Sequence, residues 1–379
     1  MHSVAYATGG ITIVLLASLA ACFSKPPRPD DVAGDAKAPD DSQTAEGWLD
    51  GYQYRKHVTV TTGLGAPLIN FPVGVSRSDP DIADHARSEG RDLVATAADG
   101  KTMLATELAA YDNGTFELWV RLEELGASGA FYLYYGGDAR APTTSVWDGP
   151  VFAGVWHLSE PGNARDSTQQ ANQLTAAGTG IPASFADGVF GPARQLDGTD
   201  DSLDGGDPPD GSLDFGTNSF GYSLWVHQSQ LLGSFDTPFY KGGTSTQEPG
   251  YCWLLGTIWT AKITDTDGSF SDVELGLAAG FQNDWVHLAA VVDRQAGTFS
   301  AYANGEPTGE PQSLATRAID NLSTTEPVQL SRSDQARFKG RLDEVRVYRS
   351  APTADWIKTE FRNAGDPGFL VFGPEEEEP

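Results

Sequence analysis

The stretch GRLDEVRVYRSAPTADWIKTEFRN, residues 340–363, decides the fold of the C-terminal half of the chain. Within it, Val345 and Val347 alternate with charged and aromatic neighbours. An alternation of apolar and polar side chains with period 2 is typical of a half-buried β-strand. The first half of the stretch is therefore predicted to be a strand that closes a sheet.

The second half of the stretch has the pattern of a short helix. Pro352 ends the strand, and either Thr353 or Asp355 is suited to cap the N-terminus of the helix. The apolar stripe of this helix consists of Trp356, Ile357 and Phe361. The predicted order is a strand, a turn and an amphipathic helix.

The composition of the chain favours an all-β protein. The 379 residues include 43 Gly and 23 Pro, and Val, Thr and aromatic residues recur in short runs with no long helical periodicity. The formal net charge is −27, from 52 acidic and 25 basic residues. A field of that sign repels phosphate backbones, so the sequence argues against a nucleic-acid partner.

The N-terminus has the pattern of an export signal. Residues 11–21 form an apolar run that is too short to span a bilayer, and the sequence LAAC that ends at Cys22 resembles a bacterial lipobox. In lipoproteins with that motif the cysteine is acylated, so Cys22 is the predicted lipidation site of a signal peptide at residues 1–22. Because no Lys or Arg precedes the apolar run, an ordinary secretory signal cleaved near Ala21 is the alternative. Phe23 follows the cysteine where inner-membrane lipoproteins have Asp, which by the same resemblance predicts the outer membrane.

The rest of the chain divides into four segments. Residues 23–47 are rich in Pro, Asp and Ala and are predicted to be a disordered tether. Residues 48–148 contain several strand patterns, and residues 150–373 are long enough for one large β sandwich. Residues 374–379, with four glutamates, are predicted to be a solvated acidic tail. Residues 147–150 are predicted to be a linker with few contacts, at which limited proteolysis separates the two β domains.

Several motifs resemble known bacterial extracellular modules. Those of the second domain are Trp285, His287 and Ala289; Tyr302, Asn304 and Gly305; and the run from Leu342 to Tyr348. They resemble the laminin-G-like, concanavalin-A-like jelly-roll modules of bacterial surface proteins. Through YRKHVTV, APLINFPVGV, SEGRDLVATAADG, FELWVRL and FYLYYGG, the first domain resembles an uncharacterised extracellular domain that precedes such modules. The resemblance implies an all-β chain, in which a β domain is followed by a jelly-roll β sandwich with a short C-terminal helix.

The same resemblance implies a structural calcium ion. Modules of this kind hold calcium with a Glu of the opening strand, an Asp of the following loop and the Asp of the closing Asp-Glu-Val run. Carried over by position, the ligands are Glu160, Asp166 and Asp343, together with the side chain of Asn172. A further acidic run, from Asp197 to Asp204, is predicted to be a turn with solvated charges rather than an ion site.

The carboxylates do not have the spacing of a glycosidase. Jelly-roll glucanases carry a Glu-x-Asp-x-x-Glu arrangement on one strand, and that spacing does not occur here. Asp343 and Glu344 are adjacent, so on a regular strand they point to opposite faces of the sheet. Glu117 lies on a strand whose inner face is predicted to be apolar. A Gly-x-Ser-x-Gly nucleophile elbow is also missing from the sequence.

Aromatic side chains are a second source of function. Trp253, Trp259 and Tyr302 lie in the middle of the second domain, where alternate residues face outward, and they are the candidates for stacking on sugar rings. Core packing is the simpler interpretation of each tryptophan.

These patterns predict a non-enzymatic lipoprotein of the bacterial cell surface or periplasm, whose jelly roll binds carbohydrate or another surface protein. The membrane contact is predicted to be through the lipid anchor only. Two alternatives stay open: a glycan-cleaving enzyme of the same fold, and a structural envelope component with no small ligand. Glycan binding without a product, release of reducing sugar, or neither result would separate the three.

Overall fold

The computed structural model describes residues 47–138, 145–177, 182–185, 187–277, 284–332 and 337–379. The predicted signal peptide with Cys22, and the tether up to residue 46, lie outside the described residues.

Strands dominate the described part of the chain, as the composition predicts. In chain order they are β1 (Tyr54–Thr61), β2 (Leu68–Ser78), β3 (Val94–Ala97), β4 (Ala105–Asp112), β5 (Thr115–Leu125), β6 (Ser128–Tyr135), β7 (Phe152–Trp156), β8 (Thr175–Ala177), β9 (Ala183–Phe185), β10 (Ala193–Asp197), β11 (Ser202–Gly206), β12 (Phe220–Gln230), β13 (Phe239–Lys241), β14 (Gly250–Leu255), β15 (Ile258–Thr264), β16 (Phe270–Leu277), β17 (Val286–Asp293), β18 (Thr298–Ala303), β19 (Glu306–Ser313), β20 (Val328–Leu330), β21 (Lys339–Tyr348) and β22 (Leu370–Glu377). The α-helices are α1 (Pro80–His85) and α2 (Ala354–Gly365).

The first sandwich consists of a four-stranded sheet, in the order β22-β1-β6-β3, and a three-stranded sheet, in the order β2-β5-β4. Alternate residues of these strands meet in one buried core, as period-2 strands require. Residues at its centre that are no more than 1% exposed include Val58, Phe71, Val75, Leu118 and Phe131.

The chain end completes the first sandwich, so the prediction of a solvated tail at residues 374–379 is wrong. Strand β22 pairs antiparallel with β1 from Tyr54 opposite Glu377 to Val60 opposite Leu370. The acidic side chains find partners there: Glu376 accepts a hydrogen bond from Arg55 Nε at 2.7 Å. Edge pairing and local charge compensation explain why a glutamate-rich segment forms a strand.

The second sandwich is the predicted jelly roll, and its two sheets enclose one large core. Residues 370–373, which the prediction assigned to it, belong to β22 of the first sandwich. One sheet has the order β19-β18-β17-β12-β21-β10-β9, with β7 also paired to β21. The other has the order β16-β15-β14-β13-β20-β11-β8. The predicted all-β class with a short C-terminal helix is confirmed.

The closing strand and helix form as predicted. On β21, Leu342, Val345 and Val347 are fully buried in the jelly-roll core. Thr353 is the N-cap of α2, and its Oγ1 accepts a hydrogen bond from the backbone N–H of Trp356 at 3.1 Å. Trp356 and Ile357 are buried, so the apolar stripe lies against the protein.

The junction between the two sandwiches is a packed interface, and the prediction of a linker with few contacts is wrong. Trp147 is 1% exposed and packs against Trp119 of β5 and Phe152 of β7. The core of the first sandwich continues into Phe152 and Trp356 of the second. Gly149 and Pro150 are exposed, but a cut at them would leave two pieces that stay packed together through Trp147.

Candidate functional site

A β-bulge in β21 places two adjacent carboxylates on the same face of the sheet. Ser223 and Trp225 of β12 lie opposite Arg346 and Asp343, so β21 has one extra residue here. Glu344 occupies the bulge with a positive φ of 48°. The sequence prediction that Asp343 and Glu344 point to opposite faces is therefore wrong.

The bulge builds a cluster of charged side chains at the junction, which we call the junction cluster. Its members are Glu117 of β5, His157 after β7, Asp343, Glu344 and Arg346 of β21, and Glu360 of α2. All six are at most 5% exposed. The cluster joins one strand of the first sandwich to two strand segments and a helix of the second.

Hydrogen bonds connect most of the junction cluster. Glu344 Oε1 lies 2.7 Å from His157 Nδ1, and Glu344 Oε2 accepts a bond from Arg346 Nη2 at 2.7 Å. Arg346 Nη1 donates to Glu360 Oε1 at 2.8 Å. Glu117 Oε1 lies 3.7 Å from His157 Nδ1, and its Oε2 accepts a bond from Ser159 Oγ at 2.7 Å.

Burial and mutual charge decide which of these groups ionise. Burial raises the pKa of Glu117 to about 8, and the neighbouring Glu344 carboxylate adds to the increase. Burial by itself lowers the pKa of His157, but the Glu344 carboxylate outweighs it and raises that pKa to about 9. Burial also raises the pKa of Asp343 well above its ordinary value.

The remaining carboxylates stay ionised. Burial opposes ionisation of Glu344 and Glu360, but His157 and Arg346 lower the pKa of Glu344, and Arg346 lowers that of Glu360 to about 2. At neutral pH, protonated His157 and Arg346 therefore balance Glu344 and Glu360, while Glu117 and Asp343 are neutral. A buried cluster with no net charge avoids the cost of an unpaired buried ion.

The junction cluster has the residue types of a metal or catalytic site but not the access. One ligand atom each from Glu117, His157 and Glu344 lie within 4.8 Å of one another. Their atoms already contact each other and Arg346, whose guanidinium supplies positive charge in place of an ion. Because glycoside hydrolysis needs two carboxylates on either side of a bound sugar, side chains this buried are unsuited to it.

The structure does not bring the four predicted calcium ligands together. Asp166 accepts backbone hydrogen bonds from Val155, Thr168 and Asn172 and organises its own loop. Glu160 accepts a hydrogen bond from the backbone of Arg165. Calcium binding stays a prediction.

Of the other two predicted ligands, Asn172 lies in the same loop as Asp166, whereas Asp343 lies in the junction cluster. Asp343 Oδ2 accepts bonds from the backbone N–H groups of Val189 and Phe190 at 2.6 and 3.0 Å, in the junction cluster. The side chain of Asn172 bonds instead to Ala153 O and to Ser212. Each predicted ligand is thus explained by a local hydrogen-bonding role.

The acidic run after β10 forms a turn, as its sequence predicts. Asp197 Oδ1 accepts a backbone hydrogen bond from Thr199 at 2.6 Å, and Gly198 has a φ of 75°. Ligand atoms of Asp197, Asp200 and Asp201 lie within 4.8 Å of one another. Asp201 Oδ2 accepts the backbone N–H of Asp197, so this proximity follows from the turn.

Two of the three predicted sugar-stacking residues are not available for stacking. Trp253 and Trp259 are 0% exposed and belong to the jelly-roll core. Tyr302 is half-buried and packs against the cluster of Ala289, Val291 and Ile357, and stacking by its ring stays a prediction. Core packing is therefore the correct interpretation of both tryptophans.

A cavity of about 200 Å³ lies beside the junction. It is lined by Trp147, Asp148, Gly149, Phe152, Thr168, Gln169 and Gln170. The rings of Trp147 and Phe152 are at most 3% exposed, so the cavity offers polar groups rather than an aromatic platform.

Exposed apolar side chains gather instead at one end of the jelly roll, which we call the distal tip. Of the five large apolar side chains that are exposed in the described residues, Leu232, Phe235 and Ile258 lie there, with exposures of 41%, 63% and 38%. Leu232 lies beside Gly198, and Ser234 lies beside Gly256 of the hairpin that leads to Ile258. The sequence gives no signal for this tip, because Leu232 and Phe235 lie in a loop with no periodic pattern.

The distal tip lies at the Lys339 end of strand β21. Strand β21 runs from Lys339, beside Gly198 at the tip, to Tyr348, which packs on Phe152 at the junction. Ten residues of strand span about 33 Å. Asp343 of the junction cluster lies four residues from Lys339, about 13 Å along this strand, so the tip lies just beyond the junction cluster on β21.

Part of the chain matches a known family. Residues 197–358 match the family model described as the concanavalin A-like lectin/glucanases superfamily. This match confirms the predicted jelly-roll resemblance. The resemblance of the first domain stays a prediction, and no protein of curated function matches the chain.

Similar solved structures are binding domains of clostridial toxins. The binding domain of Paraclostridial Mosquitocidal Protein 1 is 16% identical with a TM-score of 0.46, and the match covers 56% of this chain and 52% of that one. The botulinum neurotoxin serotype G binding domain is 10% identical with a TM-score of 0.44, covering 55% and 50%. The botulinum neurotoxin serotype D ligand binding domain in complex with N-acetylneuraminic acid has the same identity and score, covering 56% and 50%. The chain thus spans about half the length of these structures, and at this similarity function is not transferable.

None of the helices in the described part of the chain combines the length and apolarity needed to cross a membrane.

Proposed function

We propose that this chain is a non-enzymatic binding protein of the bacterial cell envelope, whose jelly roll binds a glycan or a surface protein. The proposal rests on the burial of the carboxylates in the junction cluster, which keeps them away from a bound sugar. Glu117 and Glu344 are at most 1% exposed, and their oxygens bond to side chains of the cluster and its surroundings. The cluster thus serves to hold the two sandwiches together, while the loops of the jelly roll remain open to a partner.

Binding and cleavage are separated by one pair of measurements on the full chain. We expect retention of the chain on a glycan array or on an envelope protein, and no new reducing ends when bound glycans are incubated and chromatographed. Release of reducing sugar that disappears in Glu344→Gln would instead support the glycan-cleaving enzyme. If the chain binds neither a glycan nor an envelope protein and releases no sugar, only the structural envelope component remains as an explanation.

The proposed location rests on Cys22. If this residue is acylated, Cys22→Ser is expected to move the protein from the membrane fraction to the soluble fraction and to abolish fatty-acid labelling. In a density gradient, the wild-type protein is expected to migrate with outer-membrane markers. Cys252, which is buried in the jelly roll, offers the control: Cys252→Ser should leave the membrane fraction unchanged. Membrane association that survives Cys22→Ser would contradict the anchor.

A further inference from the structure

We propose that the distal tip is a docking surface for a protein segment that has apolar side chains flanked by Lys or Arg. The proposal rests on the proposed binding function and names its surface and partner chemistry. Large apolar side chains that are exposed and adjacent mark interaction sites more often than isolated ones do. Leu232 and Phe235 lie on one loop, and Ser234 between them packs against Gly256, two residues before Ile258.

The loop that carries Phe235 is held in one conformation. Asp236 is 2% exposed, and its two carboxylate oxygens accept the backbone N–H groups of Leu232 and Gly233 at 2.8 and 2.9 Å. Gln228 Nε2 also donates to Asp236, at 3.2 Å. Thr237 Oγ1 donates to the carbonyl of Phe235 at 2.8 Å. A loop fixed in this way loses little entropy on binding, which favours affinity.

The side chains of the tip favour a protein over a glycan. Sugars are recognised by aromatic faces together with convergent polar side chains, whereas Leu232 and Ile258 add apolar area without hydrogen-bonding groups. Buried apolar and aromatic residues are the usual energetic centre of a protein–protein interface. The composition of the tip therefore matches a peptide or protein surface.

The charged residues around the tip indicate which sign of charge the partner carries. Leu232 lies against the turn that carries Asp197 and Asp200, and Lys339 is the basic residue beside it. The whole chain carries a formal charge of −27. Complementary charge speeds association and excludes wrong partners, so a segment flanked by basic residues is favoured.

A dodecapeptide phage library, selected on the immobilised full chain, tests this inference. We expect the enriched peptides to combine aromatic or aliphatic residues with Lys or Arg. Their affinity should fall about tenfold or more in Phe235→Ser, because a central aromatic anchor is lost. It should fall less in Asp197→Asn/Asp200→Asn, and should weaken with salt in the wild type.

Ile69 supplies the matched control, since it is 55% exposed on β2 of the first sandwich. Ile69→Ser should bind the peptides as the wild type does, and unchanged melting temperatures would show that all variants are folded. Enriched peptides that bind Phe235→Ser as well as the wild type, or that lack basic residues, would overturn the inference. Glycan-array binding that is lost in Phe235→Ser would overturn it in favour of a sugar site. Glycan binding that is unaffected by Phe235→Ser, with no peptide enriched, would keep the proposed function and reject the tip.

Discussion

A chain that ends at Phe369 is expected to melt roughly 10 °C lower than the full chain, with the loss confined at first to the first sandwich. The deletion removes β22 and leaves the backbone edge of β1 without its partner. It also exposes the apolar surface that Leu370, Val371 and Phe372 cover in the full chain, where each of them is half-buried. At about 1 kcal/mol for each half-buried side chain, the apolar part alone is about 3 kcal/mol.

Hydrogen bonds that the same deletion removes add to the effect. Glu375 Oε2 accepts a hydrogen bond from Tyr135 at 2.7 Å and lies 2.9 Å from Nδ1 of His85. Arg55 is also deprived of its bond to Glu376. The unpaired strand edge is further expected to promote aggregation, because exposed edges recruit other strands.

Thermal melting and amide hydrogen exchange of β1 measure the result. A chain that ends at Glu378 retains all of β22 and is the matched control, expected to melt as the wild type does. A synthetic peptide of residues 367–379, added to the truncated chain, is expected to restore protection of β1. Equal melting of the truncated and full chains would mean that β22 is dispensable and that the first sandwich is complete without it.

Local patterns in the sequence predict the elements of the jelly roll well. The alternation around Val345 and Val347 identifies β21, and the two candidate caps, Thr353 and Asp355, place the start of α2, where Thr353 is the cap. In these segments the hydrophobic period, the cap and the tertiary packing agree. The long-range pairing of the chain end with β1 has no such signal, since Gly373, Pro374 and the glutamates are typical of a solvated segment.

The junction cluster could not be predicted from the sequence for a related reason. A one-residue bulge reverses the face of Asp343, and no local pattern predicts where a bulge occurs. Glu117 lies on a strand with apolar neighbours, and its partners Ser159, His157 and Glu344 come from distant parts of the chain. Charges of this kind are explained only once the two sandwiches are packed together.

The stability that the junction cluster contributes is expected to be highest near pH 4.5 and to fall as the pH rises from there to 9. The folded pKa of Glu117 is raised from 4.5 to about 8, and that of His157 from 6.5 to about 9. A raised folded pKa means that the folded state binds more protons than the unfolded state. Stability is therefore lost as the pH rises from the unfolded pKa to the folded pKa of each group. Glu344 and Glu360, with lowered pKa values, act in the opposite sense and only in acid.

The protonation of Glu117 and His157 depends on charged groups from the neighbouring elements. Glu344 of β21 acts on both Glu117 and His157, Asp343 of β21 faces Glu117, and Glu107 of β4 faces His157. Arg346 pairs with Glu344 and with Glu360 of α2. Above pH 8 the cluster gains negative charge as Glu117 ionises, and then loses the positive charge of His157. Both changes leave a buried net charge at the junction, which is costly.

Glu117→Gln isolates one of these titrations, because glutamine has the shape of glutamic acid and is neutral at every pH. Each pKa unit is about 1.4 kcal/mol, so between pH 6 and 8 the wild type should lose up to about 2.7 kcal/mol that the variant keeps. The fall in melting temperature should accordingly be about 5 °C smaller in the variant. Glu123→Gln, at an exposed position of the same strand, is the control and should follow the wild type. If the melting temperatures of the wild type and Glu117→Gln change in parallel between pH 6 and 9, Glu117 is already ionised in the folded protein. The cluster would then carry a net charge at neutral pH, and the balanced-charge account would be wrong.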